Sequence, residues 1–210
     1  MSQKDVGNKI PIYKLKTTDE VMKYYDEWGI KNKYDQDMVD WNYTGPKETV
    51  ATFIKYAKDK NIKILDAGCG TGLVGIELKK HYYLNIDGMD LSRKLLDLVP
   101  QGYYQNLDQV DLNKPIKVKN DTYDAIMCVG TFTFGHVKPH ALDEFIRISK
   151  NKSLICFTIN EGVYEEYGFD KKIDELKKNK SWNVKEFFKS NYIASKDVNA
   201  WLCLAEVIKN

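Results

Sequence analysis

The chain of 210 residues suits one folded domain, because single cores keep growing to roughly 250 residues before chains split. Charged residues make up 30% in near balance, with a formal net charge of +2, so no basic footprint of the kind that phosphate backbones require is present and nucleic acid is excluded as the default partner. The chain also has no run of about 18 apolar residues and no apolar signal stretch at its start, which predicts a cytoplasmic protein without membrane contact.

Residues 1–20 are polar and weakly patterned and predict a loose arm. Residues 21–58 predict an N-terminal helical lid. Its rings, from Tyr24, Tyr25 and Trp28 through Tyr34 to Trp41 and Tyr43, are too dense for an idle linker and must pack on something. Pro46 opens a helix in which Val50, Phe53, Ile54 and Ala57 share one face. From residue 59 onward the pattern predicts a single α/β core. Short apolar strands at 62–66, 84–90, 103–107, 123–129 and 153–159 alternate with helices at 73–81, 92–99 and 139–149. Ser92 is a fitting N-cap and Pro139 a fitting first-turn residue. A lysine-rich helix at about 164–178 buries Phe169, Ile173 and Leu176, and strands at 184–188 and 200–208 predict an antiparallel edge. The expected architecture is a seven-stranded, mostly parallel sheet with an antiparallel C-terminal edge and helices on both faces.

Cys69, Cys128, Cys156 and Cys203 form no CxxC pair, and three lie in apolar runs, so reduced structural thiols are expected. His81, His136 and His140 lack the spacing of zinc ligands, and no metal is expected.

The chemistry concentrates where the first strand meets the first helix, in Asp66-Ala67-Gly68-Cys69-Gly70-Thr71-Gly72. Glycines at a strand's carboxyl end let backbone approach a ligand closely. A dinucleotide fingerprint would place its third glycine at position 73, which is Leu73, and a P-loop would follow Gly72 with Lys rather than Leu73-Val74. Both phosphate readings fail. The D-x-G-x-G-x-G pattern resembles the first motif of class I S-adenosylmethionine-dependent methyltransferases, whose fold is Rossmann-like. The resemblance implies S-adenosylmethionine as cofactor, held by Gly68, Cys69, Gly70, Thr71 and Gly72. A carboxylate at Asp66 suits the cationic amino-acid end of such a ligand, directly or through water.

Asp90 ends the second strand and suits the two ribose hydroxyls, by the logic that places an acid about 20 residues past the glycines in dinucleotide folds. Leu91 would then lie along the adenosine. In Val110-Asp111-Leu112 the resemblance implies Asp111 on the adenine amino group with Leu112 beside it; Asp108 competes for that role. Strand four ends at Val129, and Gly130 to His136 occupy the family's segment beneath the methionine part and the methyl. No Asp/Asn-Pro-Pro-aromatic motif and no Pro-Cys nucleophile occur there, so a small-molecule acceptor gains by elimination.

Trp28, Tyr34-Asp35, Tyr43 and Pro46 ahead of the glycine loop are similar to the methyltransferase-like family named after the Williams–Beuren chromosome region, from about residue 24 to the C-terminus. The similarity implies that Tyr34 covers the cofactor and serves catalysis. Trp28, Tyr43, Phe132, Asn160 and Tyr164 are the expected acceptor-pocket residues, with Glu161 nearby. His136, the only histidine near the carboxyl edge, is the expected base if the acceptor must lose a proton. A monomer or weak dimer is expected. A non-catalytic cofactor-binding regulator and a protein methyltransferase remain as alternatives, and a nicotinamide oxidoreductase is opposed by Leu73.

Overall fold

A computed structural model describes residues 11–15, 17–30 and 33–209. The strands β1 (Ile64–Ala67), β2 (Ile86–Asp90), β3 (Asn106–Gln109), β4 (Tyr123–Phe132) and β5 (Ser149–Asn160) pair in parallel, and β6 (Trp182–Ile193) and β7 (Val198–Val207) complete the sheet antiparallel. The seven strands run in the order β3-β2-β1-β4-β5-β7-β6. This is the expected Rossmann-like sheet with its antiparallel C-terminal edge. Strand order reverses between β1 and β4, the position where open α/β sheets leave a crevice for ligands.

Apolar side chains cover both faces of the central strands, which explains their continuous apolar runs. On one face Leu65, Ile126, Cys128 and Phe157 pack under the helices α6 (Ala141–Ile148) and α7 (Phe169–Lys178). On the other, Ile64, Ala125 and Met127 meet α3 (Gly45–Phe53) and α4 (Leu73–Lys80). All four cysteines are buried free thiols. No helix among the described residues is long and apolar enough to cross a membrane.

Several boundaries moved. The third strand lies at 106–109, not 103–107, because Tyr104 turns inward beneath the glycine loop and a polar Asn-Leu-Asp-Gln run takes the exposed edge. The helix expected at 92–99 is the four-residue α5 (Arg93–Leu96), capped by the Ser92 hydroxyl as expected and followed by turns. The lysine-rich helix starts only at Phe169, since Gly168 with φ of 79° ends a run of turns before it.

The N-terminal region departs most from expectation. Residues 1–10 of the predicted loose arm lie outside the described residues, but Pro11–Lys14 form a 3-10 turn with Ile12 and Tyr13 buried. Thr17 then caps α1 (Thr18–Trp28) through a reciprocal bond pair with Glu20, which fixes where the helix begins. Ring burial, invisible to a polarity count, draws this segment onto the sheet's carboxyl edge. After α2 (Lys33–Asp40), Tyr43 bridges to Ile193 of β6, tying the N-terminal helices to the far edge of the sheet.

Candidate functional site

At the carboxyl ends of β1 and β4 a cleft open to solvent spans about 700 Å³ of empty space. Its floor is the glycine loop. Gly68, with φ of 80°, lies so close to β4 that a Cβ there would fall 2.1 Å from the Thr131 hydroxyl oxygen. Gly70, with φ of 54°, has no atom within 4 Å of a would-be Cβ, so its backbone faces open space. That combination is a backbone cradle awaiting a ligand rather than an ordinary tight turn.

Asp90 leaves β2 into this cavity. Its Oδ2 accepts from the Gly70 backbone N–H at 2.8 Å and its Oδ1 from the Ser92 N–H at 2.9 Å. Burial raises its carboxyl above the usual range, and the backbone N–H groups pull it back down. Each oxygen keeps a lone pair for one further donor. Leu91, Leu112 and Val129 line the same space, and Asp111 joins them while holding the Asn113 N–H and the Lys114 ammonium. Asp108 is exposed on β3 and does not line the cavity.

Asp66 stands back from the cavity. It is fully buried behind the loop, lines no cavity, and accepts a 2.6 Å bond from the Tyr104 hydroxyl, while its other oxygen has no partner. Burial raises its carboxyl to about 7. It therefore cannot meet a ligand's cationic end directly; it buttresses the loop through Tyr104, whose hydroxyl also accepts from the Gly75 N–H. Gly72 likewise opens α4 against Tyr104 rather than facing the cavity. Cys69 and Thr71 border a smaller space of about 280 Å³ on the loop's other side, together with Tyr34 and Tyr43.

The N-terminal helices roof the cavity, latched by two hydroxyl-to-carboxylate bonds. Ser92 donates to Asp26 of α1 at 2.7 Å, and Thr71 donates to Asp35 of α2 at 2.6 Å. Tyr25 and Tyr34 hang from this roof into the main cavity. Beyond them lies a second space of about 390 Å³ walled by Trp28, Tyr34, Trp41, Tyr43 and Tyr192. Trp28 and Tyr43 thus sit where an acceptor pocket was expected.

Phe132, Asn160 and Tyr164 do not. Phe132 is a core residue within 6.1 Å of the rings of Phe145, Phe157 and Phe169. Asn160 is buried, donating to the Tyr13 hydroxyl and accepting from the Gly162 N–H. Tyr164 stacks against Phe187 and Trp201, and Glu161 is held by Lys189 and Asn199; neither lines either cavity. The strand-five loop turns its side chains into packing, so proximity to the carboxyl edge was not enough.

His136 lines the main cavity, but both its nitrogens are engaged. Nδ1 faces the Phe134 carbonyl, which can only accept, so Nδ1 carries the proton. Nε2 must then accept the 3.0 Å bond from the Tyr25 hydroxyl. Burial holds the ring's pKa down to about 4. The imidazole is a neutral anchor for Tyr25, not a free base. Tyr25, Trp41 and Tyr192 are the site residues that sequence reasoning did not single out; the first two lie within the noticed aromatic stretch, whereas nothing local marks Tyr192.

Residues 64–152 match a family model described as a methyltransferase domain. Human methyltransferase-like protein 27 is 32% identical over 141 residues, a match spanning 65% of this chain and 56% of that relative's length. Among solved structures, magnesium protoporphyrin IX methyltransferase from Synechocystis PCC 6803 with bound S-adenosylmethionine superposes with a TM-score of 0.68 at 14% identity, over 90% of this chain and 96% of that one. The cyclase SpnF gives the same TM-score at 11% identity, over 93% and 98% of the two chains. A likeness to a methyltransferase and a cyclase alike is one of fold. The motifs, the cavity and the family match converge on residues 64–152, which are similar to a methyltransferase domain.

Proposed function

We propose that the protein transfers a methyl group from S-adenosylmethionine to a small molecule seated in the aromatic cavity. The observation that carries the reading is a shared wall: Tyr25, Tyr34 and Gly130 line both the carboxylate-bearing cavity and the aromatic one. When bound, the cofactor supplies an electrophilic methyl on a cationic sulfur.

The chain's own residues bind and align. Asp90 takes the ribose hydroxyls through the lone pairs left by Gly70 and Ser92, a charge-assisted contact. Asp111 faces the base, and Leu91, Leu112 and Val129 cover the rings. Tyr34 stands at the junction of all three spaces, where it covers the reacting centre and excludes water. Aligning two reactants across a common wall is itself a large source of rate in a displacement.

Calorimetry with S-adenosylhomocysteine and NADH in parallel tests the cofactor assignment. Transfer of labelled methyl from S-adenosylmethionine to a metabolite library tests catalysis. Binding of NADH alone would defeat the proposal, and cofactor binding with no methylated product would reduce the protein to a cofactor-dependent binder.

A further inference from the structure

We infer that the acceptor atom is an aromatic ring nitrogen of the pyridine or quinoline kind, neutral and with no proton to lose, which methylation converts into a cation held by the aromatic walls. The inference rests on the methyl-transfer reading above and concerns what the second cavity accepts.

Two observations carry it. First, among the described residues the aromatic cavity is lined by no carboxylate, lysine, arginine or histidine. The adjacent imidazole of His136 is committed on both nitrogens, to the Phe134 carbonyl and the Tyr25 hydroxyl. The tyrosines cannot serve either, because burial pushes the phenols of Tyr25, Tyr34, Tyr43 and Tyr192 up, away from ionisation. An alcohol or phenol arriving protonated would find nothing to take its proton. Second, the walls are rings. Trp28, Trp41, Tyr43 and Tyr192 present a surface that stabilises positive charge without demanding it at the outset.

The reaction balances without a base. The nitrogen lone pair forms the new N–CH3 bond as the C–S bond breaks, its electron pair passing to sulfur. Positive charge moves from sulfur to nitrogen, from the Tyr34 junction into the cage, and no proton is released. An apolar cavity accepts the neutral reactant readily, and the rings favour the charge as it develops.

The test combines binding and transfer. With S-adenosylhomocysteine present, N-methylquinolinium should bind about tenfold tighter than methylnaphthalene of the same shape, the scale of one or two ring contacts with a desolvated cation. Trp41→Leu should erase that preference. Because Trp41 lines only the aromatic cavity, S-adenosylhomocysteine affinity should hold, which also reports that the variant folds. In a transfer assay quinoline and isoquinoline should be methylated, and naphthol and naphthylmethanol should not. Equal binding of the cation and its neutral isostere, or methylation confined to the oxygen acceptors, overturns the inference while leaving methyl transfer standing. Failure to bind S-adenosylhomocysteine would instead strike the cofactor reading itself.

Discussion

The two halves of the site are built in opposite ways. The proposed cofactor half rests on the carboxyl ends of adjacent parallel strands, with Gly68, Gly70 and Asp90 within 23 positions of one another and the Gly70 backbone N–H donating to the Asp90 carboxylate. The proposed acceptor half is gathered from the first 3-10 turn, two N-terminal helices and the last hairpin, and its Tyr43–Tyr192 contact spans 149 positions. One half is a rigid product of strand geometry; the other is a side-chain assembly that forms only when distant segments meet. The first carries the carboxylates of Asp90 and Asp111, and the second is lined by rings, aliphatic side chains and hydroxyls without a charged group.

The largest expected effect probes the cofactor half through an acid that touches no cavity. Asp66 holds its proton up to about 7 when folded, far above its unfolded value of about 4, so the folded state carries an extra proton between those limits. Stability is therefore lost as pH rises through that window. Asp66→Asn should be more stable than the parent at pH 8 by roughly 2–4 kcal/mol, with little difference at pH 4. His136 slopes the other way: held down to about 4, it costs stability as pH falls from about 6.5, and this slope should emerge once Asp66 is removed. Denaturant titrations at both ends of the range read this out, and an unchanged parent-to-variant difference would return Asp66 to ordinary solvated behaviour.

Asp90→Ala comes next. It should weaken S-adenosylhomocysteine binding by about 1–3 kcal/mol, the cost of losing charge-assisted bonds. An unchanged dissociation constant would refute the ribose assignment. His136→Asn should lower turnover by less than about tenfold, since a true general base would cost 10²–10⁴; a loss in that higher range would show that the imidazole leaves Tyr25 during reaction. Smallest is Asp35→Ala, which removes one latch between roof and floor. It should cost about 1 kcal/mol of roof docking, seen as faster hydrogen exchange in α2 while the sheet's protection holds.

What could be read from the sequence follows the same division. The glycine loop, Asp90 and Asp111 were legible because local spacing along strands of fixed rise sets where they point. Asp66 shows the limit of that logic, for the motif placed the residue correctly but could not reveal Tyr104, displaced from an expected strand to occupy its oxygen. Trp28 and Tyr43 were legible as rings needing a surface. Tyr192 was not, because its place depends on a fold-level meeting of β6 with the segment after α2.

The register of β6 against β7 slips between Ser190 and Ile193, immediately around Tyr192. Strand side chains alternate sides, so a slip of one residue decides which face a ring occupies. A single-residue deletion at this outer edge would therefore swing Tyr192 out of the acceptor wall while leaving β1, β2 and the glycine loop untouched. The wall of the second cavity is then adjustable by length changes in a surface hairpin, and the glycine loop and Asp90 need not change with it.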